Sequence, residues 1–120
     1  MLAADGLGYI FLDNAKTKNA MSGRMMNDFA IAVDHALDAV QSSKLRCLVL
    51  QGQNDAYCAG ADFSLARDLL TTPELGRDMC KFMTNVTSRL SSLPVISLAL
   101  ITGPAMGKIK SQNIFGVFEP

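Results

Sequence analysis

The chain has 120 residues, enough for one ordinary domain. With 49% apolar and 18% charged residues it has a globular rather than a disordered composition. Its formal net charge is zero and it carries no basic run or acidic tail, which argues against a nucleic-acid partner.

Gly8–Leu12 reads as a short strand, followed by a polar loop to Asn19. Ser22 is placed to cap a helix in which Met26, Phe29, Val33, Ala36, Leu37 and Val40 recur at helical spacing. Asn27, Asp28, Asp34, Asp38 and Gln41 occupy the other face, so an amphipathic helix of about five turns is expected. Leu45–Gln51 reads as a strand. Its successive apolar residues Cys47 to Leu50 predict burial on both faces, as in a parallel sheet.

Gly52 to Asp55 is a turn, and a short helix is expected at about Ser64–Leu70. A second long helix is predicted from Pro73 to Leu90, with Thr72 as its cap. Leu75, Met79, Phe82, Met83, Val86 and Leu90 form its apolar stripe. Val95–Ile101 is another apolar strand. Strands alternating with helices imply crossovers and a parallel sheet with flanking helices, an α/β fold. Residues 108–120, KIKSQNIFGVFEP, show no clear helical or strand period, so the chain divides into 1–107 and a divergent tail 108–120.

Cys47, Cys58 and Cys80 are odd in number and show no C-x-x-C pairing, and His35 is the one histidine, so no metal site is expected. Free thiols fit a reducing compartment; the reading is cytoplasmic, with a mitochondrial address left open. The apolar stretch Leu93–Met106 is interrupted by Pro94, Gly103 and Pro104 and is too short for a membrane span, so no membrane partner is expected.

The segment Tyr57-Cys58-Ala59-Gly60-Ala61-Asp62-Phe63 joins a buried strand to a helix. Its small residues let another molecule approach the backbone, and Asp62 can cap the helix. Amides without intrahelical partners at such a corner can bind a carbonyl oxygen, and bind it better once it becomes an enolate oxyanion. A tight turn that holds no ligand accounts for the same residues.

This segment resembles the F-C-A-G-A-D-L block of the crotonase (enoyl-CoA hydratase/isomerase) superfamily. Asp13 to Met21, DNAKTKNAM, is similar to that family's N-x-P-x-x-x-N-A-[LM] loop. Leu93 to Ile96 and Thr102 to Gly107 resemble the strand and second glycine-rich loop. The resemblance implies the N-terminal part of a crotonase-type ββα spiral, truncated after Gly107. Thr72 to Gly76 and Met79 to Met83 look most like the branch of ethylmalonyl-CoA decarboxylases.

The family's roles carry over position by position. Ala61 matches the first oxyanion-hole N–H. Ala59 and Gly60 belong to the same block, and Asp62 and Phe63 match positions flanking the acyl thioester. Lys16 and Ala20 match the loop against the nucleotide end of coenzyme A. Gly107 opens the second oxyanion loop, but Lys108 stands where the second donor glycine is expected. Ser111 stands where many members carry an acid/base carboxylate.

The helices that build the family's homo-trimers and hexamers have no counterpart. The implied partner is an acyl-CoA thioester, with coenzyme A as part of the substrate and no other cofactor. The implied chemistry is decarboxylation or, alternatively, enoyl-CoA hydration or isomerisation. Impaired or absent catalysis is expected of this chain.

Other features have plainer readings. Gly103 to Lys108 has three residues between its glycines where a P-loop needs four, with Ile109 in place of Ser or Thr. Cys58 fits simple burial. His35, Asp34 and Asp38 fit a solvated helix face, and Met25, Met26, Met79 and Met83 fit core packing.

Overall fold

The computed structural model describes residues 5–69, 71–103, 105 and 115–118. Strand β1 spans Leu7–Leu12 and leads through a 3-10 turn, Ala15–Thr17, into helix α1, Gly23–Gln41. The Ser22 hydroxyl accepts from the Met25 N–H, so the expected cap forms and satisfies one of the helix's orphan donors. Strand β2 is Cys47–Gly52, and the short helix α2 is Phe63–Leu69. Helix α3, Pro73–Ser91, begins at a Thr72 cap whose side chain accepts from the Leu75 N–H. Strand β3 is Ile96–Ile101.

The strands pair in parallel in the order β1-β2-β3-β4, with Ile10 opposite Leu50 and Leu50 opposite Ala99. Strand β4, Phe115–Phe118, lies parallel to β3 with Phe115 opposite Leu98. This corrects the expectation of a tail without regular structure. Four residues rich in aromatic and β-branched side chains suffice to pair along β3's otherwise open edge. Residues 106–114, with Gly107, Lys108 and Ser111, lie outside the described residues.

One face of the sheet carries the core. Ile10, Leu12, Leu48, Leu50, Ala99 and Ile101 are buried against Met26, Phe29 and Val33 of α1 and Val86 and Leu90 of α3. An ion pair between Asp34 of α1 and Arg89 of α3 joins the two helices at the surface. Asp34 is therefore paired across helices, not a solvated neighbour of Asp38 alone. Met26 is buried and Met25, Met79 and Met83 pack against the core, as expected of gap-filling methionines.

Two expectations about burial are corrected. The strands alternate between buried and half-buried residues, so among the described residues β2 is fully covered on one face only. Leu7, Tyr9, Cys47, Val49, Leu98 and Leu100 line the other face, and Ile96 there is 63% exposed. Leu37, Leu75 and Phe82 are also exposed rather than part of the buried stripes. In α3 only Val86 and Leu90, toward its C-terminal end, are buried, whereas α1, also of 19 residues, is buried from Met26 to Ala36. Among the described residues no helix is long and apolar enough to cross a membrane.

Candidate functional site

The corner after β2 is built by three backbone devices. Asn54 and Asp55 both have left-handed φ, 61° and 56°, which folds the chain back sharply. Tyr57 and Cys58 then run into the core, with 1% and 0% exposure. Gly60 has φ 96°, a conformation that a side chain would strain, and it brings the chain out again. The Asp62 carboxylate accepts from the Ser64 N–H at 2.9 Å and caps α2.

The loop before α1 lies along this corner like a short strand. The Met21 N–H donates to the Gly60 carbonyl at 2.7 Å, and the Asp62 N–H donates to the Met21 carbonyl at 3.0 Å. Met21 and Ala61 thus form a parallel bridge. In such a bridge the groups flanking Ala61 face Met21, and Ala61's own N–H and C=O face the other way.

Neighbouring amides are engaged: Ala59 donates to the Lys18 carbonyl at 3.0 Å and Gly60 to the Cys58 sulfur at 3.4 Å. Among the described residues the Ala61 N–H has no acceptor. Ala61 as a residue is exposed among the described residues. A free, rigidly held donor beside small side chains can bind a carbonyl oxygen and stabilise charge developing on it.

A second bridge pairs Cys58 with Ala105. It brings the chain leaving β3 alongside the first block, although the expected second-loop positions Gly107 and Lys108 are not described. Lys16 is exposed on the 3-10 turn, whereas Ala20 is only 6% exposed. Ala20 is therefore buried, although it stands outside the main core cluster, and has little surface to offer a ligand. Phe63 is 93% exposed, an apolar ring standing free at the corner. Two concavities formed by the described residues lie elsewhere. One of about 280 Å³ is lined by Ile10, His35, Ala36 and Leu48, and another runs along α3 beside Cys80 and Lys81.

Asn19 is the residue that sequence reasoning missed. It is fully buried and has left-handed φ, 61°. Its side-chain NH2 donates to the carbonyls of Gln53 at 2.9 Å and Ala56 at 3.0 Å, and its Oδ1 accepts from the Asn14 N–H at 2.6 Å. Both amide donors are used, which removes most of the cost of burying the group. The available signal was the asparagine's place in the N-A-M motif, where an αL-tolerant amide could bridge two loops.

Burial pushes the Tyr57 phenol up to about 12, and the adjacent Cys58 adds in the same direction. Burial also raises the Cys58 thiol, opposed by the Gly60 N–H. This favours the structural reading of Cys58 over a nucleophilic one, since a raised thiol holds less thiolate. The sign for Tyr57 is that of an acid kept neutral by folding. Its contribution is complete below pH 10 and is lost as pH rises toward 12, because the unfolded phenol ionises first. About 2 kcal/mol of stability is expected to go over that interval. Urea melts from pH 8 to 12 should show the loss, and Tyr57→Phe should reduce it. The Tyr57 hydroxyl has no hydrogen-bond partner among the described residues, so that change should cost little at pH 7.

Comparison with known proteins agrees with these motifs. The enoyl-CoA hydratase/isomerase family profile matches residues 3–108. Ethylmalonyl-CoA decarboxylase of Rattus norvegicus is 33% identical over 103 residues, covering 86% of this chain and 33% of that protein. The Gallus gallus protein of the same name is 34% identical over 102 residues, covering 85% and 33%. The chain thus spans about a third of the length of the curated relatives it matches. The crystal structure of an enoyl-CoA hydratase from Shewanella pealeana superposes with a TM-score of 0.77 at 20% identity, over 86% of this chain and 38% of that one. At that identity the likeness is one of fold.

Proposed function

The chain belongs to the enoyl-CoA hydratase/isomerase family, and from that premise we propose that its Tyr57–Phe63 corner holds the thioester carbonyl of an acyl-CoA and stabilises its enolate. The observation that carries this reading is the Ala61 N–H, which faces away from Met21 between two backbone bonds to it and has no acceptor among the described residues. Members of the family act on acyl-CoA thioesters. The decarboxylase relatives favour carbon–carbon cleavage over hydration. In that reaction the bond to the carboxylate breaks, CO2 leaves, and its electron pair passes into the thioester as an enolate. A proton then adds at the α-carbon. Donation by Ala61 to the oxyanion lowers the barrier to the first step.

On this reading Phe63 lies beside the acyl chain, and Lys16 near the nucleotide end of coenzyme A. Ala59 and Gly60 supply the small surface against which the thioester lies. Coenzyme A arrives as part of the substrate, and the chemistry calls for no metal or redox cofactor.

A second reading is thioester binding without turnover. Lys108 in place of a donor glycine and Ser111 in place of a carboxylate favour it. A lysine retains its N–H, but its Cβ restricts the backbone and crowds the thioester. Incubation with ethylmalonyl-CoA separates the two. Release of CO2 with formation of butyryl-CoA supports the first reading. Tighter binding of butyryl-CoA than of free CoA, with no CO2 released, supports the second. Neither turnover nor a preference for the acyl form overturns both.

A further inference from the structure

We propose that Asn19 is a positioning residue that aims the Ala61 N–H, an inference that rests on the acyl-thioester reading of the corner. The path is short and made of hydrogen bonds. Asn19's side chain grips the β2 turn through the carbonyls of Gln53 and Ala56. On either side of it, Lys18 and Met21 grip the corner itself. The Lys18 carbonyl accepts from Ala59, and Met21 exchanges two bonds with Gly60 and Asp62. One residue therefore sets the spacing between the turn that starts the corner and the strand that fixes Ala61.

Asn19 is the one buried polar residue among the described residues that is not a tyrosine or a cysteine. A buried amide chosen only to fill space could be replaced by an apolar residue at little cost. This amide instead satisfies two carbonyls that would otherwise lie unpaired, and its left-handed backbone suits few other residues. Its removal leaves the Met21–Ala61 bridge with its own two bonds and the Ala59–Lys18 bond, and leaves the turn tied to the first loop by the Gln53 N–H on the Leu12 carbonyl and the exposed Asn54–Asp13 contact, with no buried side chain between them. The Ala61 donor then samples several directions, and an electrostatic donor loses its advantage when it must be reoriented for each ligand.

Two variants and a control test the link on the whole chain. Asn19→Ser removes the reach to Gln53 and Ala56 without adding charge. Asn19→Asp places a carboxyl against two carbonyl oxygens, where ionisation is disfavoured and the protonated form can donate one bond. The charged groups on the elements around it, Asp13, Lys16, Lys18 and Asp55, are all exposed. Val86→Ala creates a cavity in α3, far along the chain from the corner, and serves as a destabilised control.

Hydrogen exchange of the Met21 and Asp62 amides is read first. Selective loss of protection in folded Asn19→Ser, without such loss in Val86→Ala, is the expected result. The affinity ratio of butyryl-CoA to CoA is read second. It should fall about fivefold in Asn19→Ser, the worth of one neutral hydrogen bond. In Asn19→Asp the same fall at pH 8 should be reversed as the carboxyl is protonated, while Val86→Ala keeps the parent's ratio. Unchanged protection of Met21 and Asp62 in folded Asn19→Ser overturns the inference, as does an equal loss in the control. If Asn19→Ser does not fold, Asn19→Asp at low pH decides by the same two readings. If the parent chain itself shows no preference for butyryl-CoA, the acyl-thioester reading falls, and the positioning link is judged by exchange alone.

Discussion

Replacing Ala61 with proline is expected to remove the acyl-thioester preference of this chain and to slow any turnover by about 100-fold to 1000-fold. That is the size of the loss when one oxyanion donor is deleted from a preorganised site, about 2.7 to 4 kcal/mol in the transition state. Proline has no N–H. At Ala61 that group bonds to no acceptor among the described residues, so the fold loses no hydrogen bond with it. The bonds on either side, from Met21 to Gly60 and from Asp62 to Met21, use other atoms. A thermal melt of the variant checks that the corner survives. Calorimetric titration with butyryl-CoA and CoA then measures the preference. A folded Ala61→Pro chain with the parent's acyl preference would show that this amide does not hold the carbonyl.

The largest effects on stability are expected at Gly52 and Gly103. A Cβ on Gly52 would lie 1.9 Å from the Ala56 carbonyl oxygen and 2.5 Å from the Tyr57 Cα. One on Gly103 would lie 2.1 Å from the Asp55 carbonyl oxygen. These are backbone atoms of the turn that Asn19 also grips, so they cannot step aside by changing rotamer. Alanine at either position is expected to cost about 3 kcal/mol or more, a large share of the stability of a chain this size. The melting temperature should drop by about 10 °C or more. Gly8 provides the comparison. A Cβ there meets the Leu45 Cδ1 at 2.5 Å, the far end of a side chain that can rotate, so Gly8→Ala should cost less. Equal melting of all three variants would show that the turn is not confined by the two glycines.

Local patterns were readable without the fold. Ser22 and Thr72 announced their helices because capping depends on atoms within three residues. The helical spacing from Met26 to Ala36 marked a core face, since periodicity is a property of the local backbone. The ordered blocks at Asp13–Met21, Tyr57–Phe63 and Thr102–Gly107 identified the family, and the parallel sheet followed from the alternation of strands and helices.

Other features depended on which segments meet. The apolar residues of β2 could not say that one face would be only half-buried among the described residues, because covering is done by other elements. Which part of α3's apolar stripe would be buried, Val86 and Leu90, depended on what packs against the helix. Four residues at Phe115–Phe118 were too short to signal a strand, and β3's edge decided their conformation.

The candidate site divides in the same way. The sequence by itself determined that Ala61 lies in a small-residue corner between a strand and a capped helix, and which family such a corner resembles. Only the tertiary structure decided that the Ala61 N–H faces away from Met21, because a bridge to that residue, forty positions earlier in the chain, engages the Gly60 carbonyl and the Asp62 N–H on either side of it. It also decided that Asn19 is buried and fully bonded, since its partners Gln53 and Ala56 come from a distant turn. Residue type and spacing are local quantities, whereas the direction of a backbone donor is set by the strand beside it.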